Sequence, residues 1–237
     1  MVYKLVSSLE RLFLPPTCLV CEAPGEEELD LCSRCLDRLP SNDLACIRCA
    51  LPLPEKSPQG FLCGRCSRQE PPFQRIIAPW RYEGELAELV HQLKFHRKLA
   101  VGRSLGILLA RRVKRRSEPF PQVVLPVPLH PEQLRERGFN HAAELAYAVS
   151  RELQLPWSTR LLRKQRPTRS QHQLDRKARL ANLKNAFHFL NAHRYRHVAV
   201  VDDVVTTGAT ATEVARTLRE AGVERVEIWA VARTPER

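Results

Sequence analysis

No apolar run in the 237 residues approaches the ~18 that a membrane-crossing helix requires. The opening segment MVYKLVSSLERLFLPP also lacks the form of a signal peptide. Lys4, Glu10 and Arg11 interrupt its apolar residues, and no small-residue cleavage site follows. An unexported, cytoplasmic protein is therefore expected. Glycine is scarce, with 9 residues, and the 43% apolar and 27% charged fractions are ordinary. Collagen-like, mucin-like and wholly disordered chains are excluded on that composition. The G-x-x-x-x-G-K loop of the P-loop proteins and the G-x-G-x-x-G dinucleotide fingerprint are both missing. Cysteine is absent from the 171 residues after Cys66.

What is present is unevenly distributed. Residues 1–70 carry 8 Lys/Arg against 10 Asp/Glu, a net of −2, whereas residues 71–237 carry 30 against 16, a net of +14. A basic surface of that size suits a polyanion, either nucleic acid or a phosphate-rich small molecule, and equally a solvated face that aids solubility. The most concentrated run is Arg111, Arg112, Lys114, Arg115 and Arg116. The segment 160–179 holds eight Lys/Arg and one acid, Asp175, with no Phe, Tyr or Trp. Without aromatic platforms, any nucleic-acid contact there would be to the backbone.

All eight cysteines fall in four C-x-x-C pairs: Cys18/Cys21, Cys32/Cys35, Cys46/Cys49 and Cys63/Cys66. Such a turn aims two thiolates at one point, and two turns build the tetrahedral sulfur shell that Zn2+ prefers. Two structural zincs are expected. Disulfides suit a cytoplasmic chain poorly, and an iron–sulfur cluster is the third use of four thiolates. The loops between pairs are 10, 10 and 13 residues. Sequential pairing closes the shorter loops and is favoured over a crossed arrangement on closure entropy. So small a module buries little core, and metal should hold it folded.

Along the chain, Leu5, Leu9, Leu12 and Phe13 share a helical face that Pro15 and Pro16 end. The expected organisation is a helix over 1–16, a zinc module over 17–70 with SRQEPPFQ (67–74) as linker, and a second domain over 71–237. In that domain RIIAPWRY (75–82), VVLPV (123–127), VAVV (198–201) and VEIWAVA (226–232) read as strands. Helix faces separate them: Leu86/Leu89/Val90/Leu93, Val101/Leu105/Leu108/Leu109, Ala142/Leu145/Val149/Leu153 and Ala211/Val214/Leu218/Ala221. Apolar strands alternating with helices predict an α/β fold with a parallel sheet.

The most informative segment is VAVVDDVVTTGAT (198–210). A buried strand ends in Asp202 and Asp203, and Thr206, Thr207, Gly208, Ala209 and Thr210 then open a helix. Gly208 admits a ligand close to the backbone. The threonine hydroxyls and unpaired N–H groups at the helix start can wrap a phosphate. The carboxylates can accept from vicinal sugar hydroxyls. Phosphate, then ribose diol, is the order these groups predict. A plain strand–helix turn with a threonine cap leaves the combination of two carboxylates, two threonines and a glycine unexplained.

This segment resembles the PRPP-binding motif of type I phosphoribosyltransferases. With it, HQLKFHRK (91–98), PVPLHPEQLRERGFNHAAELA (126–146), RPTRSQHQLDRKARLANLKNAF (166–187) and the cysteine module resemble the ComF/GntX (competence protein F-like) family over essentially the whole chain. The resemblance implies a double zinc ribbon followed by a type I phosphoribosyltransferase domain with a Rossmann-like parallel sheet. It also implies a place in DNA uptake, natural competence and transformation, or in use of DNA as a nutrient. By the resemblance, 206–210 hold the 5′-phosphate of PRPP, and Asp202 and Asp203 hold the ribose hydroxyls. Pro128, Leu129 and His130 lie at the pyrophosphate loop, with Arg135 and Arg137 just beyond. His130 itself reads as a surface histidine. The 160–179 segment corresponds to the flexible loop over PRPP, with Arg163, Lys164, Arg166 and Arg169 available to the leaving pyrophosphate. Mg2+ is implied with PRPP. Single-stranded DNA, bound chiefly at Arg111–Arg116, and DNA-uptake proteins are the implied partners. Two activities stay open: a PRPP-sensing accessory, and a transferase with an unidentified acceptor.

Overall fold

The computed structural model describes residues 16–26, 29–58, 60–115, 118–167, 183–190 and 194–236. The helix expected over 3–14, Arg116, and Arg169 with most of the rest of the 160–179 segment lie outside the described residues.

The elements in chain order are α1 (Ser33–Asp37), α2 (Gly64–Arg68), β1 (Arg75–Ile77), β2 (Trp80–Arg81), α3 (Gly84–His96), α4 (Leu99–Lys114), β3 (Val123–Pro126), α5 (Pro131–Arg137), α6 (His141–Leu153), β4 (Leu162–Lys164), β5 (Phe187–Phe189), β6 (His197–Val205), α7 (Ala209–Glu220) and β7 (Arg225–Arg233). The main sheet is parallel throughout, in the order β1-β7-β6-β3, with β2 following β1 along the same side of β7. The expected strand over 75–82 is split in two because Pro79 has no N–H to give to the ladder. β6 runs farther than its apolar stretch predicts, and carries Asp202 in register with Ala230. β4 and β5 form a separate antiparallel pair, Arg163 opposite His188.

The strands are apolar because both faces of the sheet are covered. One face packs Leu86, Leu89, Val90 and Leu93 of α3, Leu105 and Leu109 of α4, and Leu145 and Val149 of α6. Gly106 lets α4 approach α6 closely: a Cβ there would come 2.5 Å from the Ala148 Cβ. The other face packs Val214 and Leu218 of α7 together with Leu162, Phe187 and Phe189 of the β4–β5 pair. α7 stops at Glu220, and Gly222 takes the left-handed conformation (φ 95°) expected just past a helix end.

The cysteine module is not a tethered satellite. Its first half joins the α3–α4–α6 side through Cys18, Leu29, Leu31 and Cys35, and its second half joins the opposite side through Cys46, Cys49, Cys63 and Cys66. Between the halves, Asn42 Nδ2 donates to the carbonyls of Ala50 (2.9 Å) and Ala78 (3.0 Å). Ser41 bridges Trp80 at the sheet edge. Within the segment read as a linker, Phe73 is buried and the Gln74 N–H donates to the Val226 carbonyl (2.7 Å). Burial of the phenyl ring, about 1.5–3 kcal/mol, outweighs the polar composition that suggested a free linker. Among the described residues no helix is long and apolar enough to cross a membrane.

Candidate phosphate-binding cleft and thiolate clusters

In a parallel sheet every strand delivers its C-terminal end to the same edge, and loops there form the natural ligand crevice. Here that edge opens into a cavity of about 560 Å³. Its walls are the 127–129 loop after β3, the end of β6 with the turn to α7, the faces of α5 and α6, Lys94 of α3, and Lys164 of β4.

Thr206, Thr207, Gly208, Ala209 and Thr210 all line the cavity. Gly208 is the N-cap of α7 with φ 79°, and a Cβ placed on it would meet no atom within 4 Å. An L side chain is strained at that angle, so glycine is required by the backbone while the space beyond it stays open. The Thr207 hydroxyl accepts from the Ala209 N–H (3.3 Å), and α7 otherwise has no side-chain cap. The remaining first-turn N–H groups and the positive end of the helix dipole offer an anion site.

Asp202 and Asp203 sit one residue apart and take different electrostatic roles. The Asp203 side chain is 5% exposed, with Oδ2 2.7 Å from Lys94 Nζ and 3.1 Å from His141 Nε2. Both groups approach Oδ2 off the hydrogen-bond direction, while Oδ1 accepts from the Val204 N–H (2.6 Å). Burial opposes ionisation of Asp203, but His141 and Lys94 override it and hold the carboxyl far below its usual range. Burial would lower the Lys94 ammonium, and the Asp203 charge raises it instead. Asp202 is half-buried on the cavity wall. Burial, and then the adjacent Asp203 charge, push it up to about 7. One carboxylate is therefore a fixed structural charge and the other is poised near neutrality. His141, Asp202 and Asp203 bring one ligand atom each within 4.8 Å of one another.

Elsewhere the wall carries charges of both signs, Glu132 and Glu136 of α5 as well as two cations. Arg137 and Lys164 both line the cavity, and Lys164 donates to Gln133 Oε1 (3.1 Å). Burial, then the Arg137 charge, bring Lys164 down to about 8. Pro128 and Leu129 line the cavity too. Asn140 fixes their loop: its Nδ2 donates to the Val127 carbonyl (3.0 Å), and its Oδ1 caps α6 at the Ala142 N–H (3.0 Å).

Three expected residues are placed elsewhere. Arg135 is exposed and off the cavity, since α5 turns it away from Arg137. Arg163 is exposed and donates to the Arg160 carbonyl (3.3 Å). The segment read as loop is strand β4, whose alternation puts Arg163 and Lys164 on opposite faces. His130 caps α5, its Nδ1 accepting from the Glu132 N–H (3.4 Å). The basic run at the end of α4 is also off the cavity, and is partly neutralised: Arg112 pairs with Asp43 (2.8 Å) and Arg111 approaches Glu152 (4.0 Å).

Lys94 and His141 lie within HQLKFHRK (91–98) and PVPLHPEQLRERGFNHAAELA (126–146), and neither shows its partner in the sequence. One signal was available in advance: Lys94 lies four residues after Val90, on the apolar face of α3, where an unpaired ammonium would be costly.

The eight thiols form two sequential groups, Cys18/Cys21/Cys32/Cys35 and Cys46/Cys49/Cys63/Cys66, with sulfurs within 4.8 Å of one another and none in a disulfide. The Cys21–Cys32 and Cys49–Cys63 sulfurs are each 3.6 Å apart. A tetrahedron with Zn–S of about 2.3 Å has edges of about 3.8 Å, so both groups fit a closed zinc site. The Cys49 thiol draws Cys46 down to about 4 against burial, and the Cys63 N–H supports the thiolate (3.2 Å).

These features define a phosphoribosyltransferase-type α/β domain carrying a double zinc ribbon. The family models agree: a double zinc ribbon domain matches residues 9–67, and a phosphoribosyl transferase domain matches 140–237. The chain is 35% identical to the DNA utilization protein YhgH of Salmonella typhi over 228 residues, covering 94% of this chain and 99% of that one. The figures for the YhgH protein of Escherichia coli K12 are the same. It is 36% identical to competence protein F of Haemophilus influenzae over 178 residues, 72% of this chain and 78% of the other. The chain belongs to the ComF-like family.

Proposed function

We propose that this chain binds Mg2+-PRPP in the cleft and serves DNA uptake or DNA use as an accessory that contacts single-stranded DNA. The observation that carries the PRPP reading is that the open, glycine-capped turn 206–210 and the Asp202/Asp203 pair line one cavity. The 5′-phosphate suits the turn's amides and hydroxyls. The ribose diol suits Asp202, and the diphosphate suits the loop at Pro128 and Leu129 with Arg137 and Lys164 on the same cavity. Mg2+ takes carboxylate and phosphate oxygens, and Asp202 is the carboxylate that Lys94 and His141 leave to it. When bound, the ion would neutralise charge on the diphosphate. The DNA reading is supported by the +14 balance of residues 71–237 and by the names of the relatives, which speak of DNA utilization and competence.

A second reading, transfer of ribose 5-phosphate to an acceptor with release of pyrophosphate, is favoured by Asp202. A carboxyl poised at about 7 is in the range of a general base at neutral pH. One experiment separates the readings. Calorimetric titration with Mg2+-PRPP should give saturable binding, and a panel of nucleobases should then be assayed for pyrophosphate. Binding without pyrophosphate supports the accessory, and pyrophosphate with any one base supports the transferase. Absence of PRPP binding at millimolar ligand refutes both.

A further inference from the structure

Arg233 is the last residue of β7 and is 1% exposed. Its Nε and Nη1 donate to backbone carbonyls. Nε donates to Cys49 (3.2 Å), and Nη1 donates to Val205 (2.9 Å), to Thr234 (2.9 Å) and, closely, to Thr206. One side chain thus joins a knuckle of the second thiolate cluster to the first two residues of the turn that leads into α7. The next carbonyl is held from the same module. Arg65, in α2 between Cys63 and Cys66, donates from Nη1 to Thr207 (3.4 Å), and its Nη2 pairs with Glu236 (3.1 Å). Three successive carbonyls, 205 to 207, are therefore fixed by two arginines anchored on the Cys46/Cys49/Cys63/Cys66 group. The half of the module that carries Cys18, Cys21, Cys32 and Cys35 packs instead on the α3–α4–α6 side.

A buried guanidinium with five donors locks planar carbonyl arrays more rigidly than packing alone does. If these carbonyls rotate, the amides that follow them rotate as well, and those amides form the phosphate cradle. We infer that Arg233 and Arg65 are positioning residues for the phosphate turn, and that the second thiolate cluster, but not the first, sets the affinity of the cleft for phosphate ligands. The affinity half of this inference rests on the PRPP-binding reading; the positioning half does not.

The test uses the full chain in six forms: the parent, Arg65→Gln, Arg65→Lys, Arg233→Met, Cys66→Ser and Cys21→Ser. Zinc content is measured with each. Arg65→Gln should keep the zinc of the parent, yet weaken Mg2+-PRPP by about three- to tenfold, less than the roughly ten- to 150-fold of a charged hydrogen bond lost directly to the ligand, because Arg65 acts through the Thr207 carbonyl. Arg65→Lys should recover part of that loss. Arg233→Met should cost more than Arg65→Gln. The second readout is amide exchange at Thr212 and Thr234, whose N–H groups close on the carbonyls of Gly208 and Val205. Exchange there should quicken at least tenfold in Cys66→Ser and stay at the parent rate in Cys21→Ser, although each loses a ligand of one cluster. If Arg233→Met or Cys66→Ser does not fold, Arg65→Gln alone decides, by both readouts. Equal exchange in Cys66→Ser and Cys21→Ser, or parent-like exchange in a zinc-replete Arg65→Gln, overturns the proposal. A parent that does not bind PRPP removes the function proposed above, while the exchange comparison still judges the arginines.

Discussion

Replacing Lys94 with methionine tests the electrostatics of the cleft most directly. The ammonium is 2.7 Å from an Asp203 oxygen, and the two side chains are 23% and 5% exposed. Methionine keeps the stem's packing against the apolar side of α3 and removes only the charge. Breaking a buried pair from one side costs about 3–5 kcal/mol, because the other charge stays buried. His141, 3.1 Å away, still attends Asp203, so the lower end applies. For a chain of this length about 3 kcal/mol corresponds to a fall in melting temperature of roughly 6–12 °C. The pH dependence follows from the depressed Asp203 carboxyl. A carboxyl lowered by folding adds stability above its unfolded value of about 3.9, and loses it as pH falls through the folded value. Without Lys94 the folded value rises, so the deficit is full at neutral pH and narrows in acid, where Asp203 takes up a proton. Adding Asp203→Asn to Lys94→Met removes the stranded charge and should recover most of the loss. Melting curves of the parent, both single variants and the double variant from about pH 2 to pH 8, a span that crosses the unfolded value of about 3.9, measure this. A loss below about 2 °C, or a double variant no more stable than Lys94→Met, refutes the assignment of Asp203 as a paired charge.

The other outcomes can be stated briefly. Asp202→Asn should weaken Mg2+-PRPP by about ten- to 150-fold, equivalent to about 1.5–3 kcal/mol, as read by calorimetry, with a melting temperature at neutral pH no lower than the parent's, since folding raises the Asp202 carboxyl. PRPP affinity in the parent should be bell-shaped in pH. It rises as Asp202 ionises through about 7 and falls as Lys164 loses its proton above about 8; a flat profile from 6 to 9 refutes the roles given to both. Protein purified without added metal should contain about two zinc ions per chain by elemental analysis, and iron–sulfur absorbance would contradict this. Neutralising Arg111, Arg112 and Arg115 should flatten the salt dependence of single-stranded DNA binding by about two to three units without changing PRPP affinity. No detectable DNA binding at low salt would remove the DNA reading.

The elements easiest to see in the sequence were those written in one local pattern. Four C-x-x-C pairs, the apolar stripes of α3, α4, α6 and α7, and the DDVVTTG turn each declare themselves within a few residues. Both the strand–helix alternation and the sequential thiolate grouping follow from them. What escaped depends on distant partners. Phe73 looks like linker until Val226 is placed beside Gln74. Lys94 and Asp203 are far apart in the chain and meet only because α3 packs across the end of β6. Arg163 and Lys164 looked equivalent as neighbouring charges, and only the strand period separates them. Nothing in the sequence marks Arg233, since a guanidinium buried on carbonyls carries no mark in composition.

The position of β7 bears on how the molecule is made. It is the last sheet strand in chain order, yet it lies between β1 and β6, with Arg75 opposite Glu227 and His197 opposite Arg225. Until residues 225–233 leave the ribosome, β1 and β6 have no common partner, and Cys49 lacks the arginine that its carbonyl binds. The second half of the cysteine module can gather metal but lacks its β7 anchor. Pairings that span most of the sequence close slowly, and open parallel edges attract other chains while they wait. A nascent chain stalled before β7 should therefore be a zinc-loaded, sticky intermediate, and full-length synthesis should show a single late step in which the ribbon, the sheet and the phosphate turn become protected together.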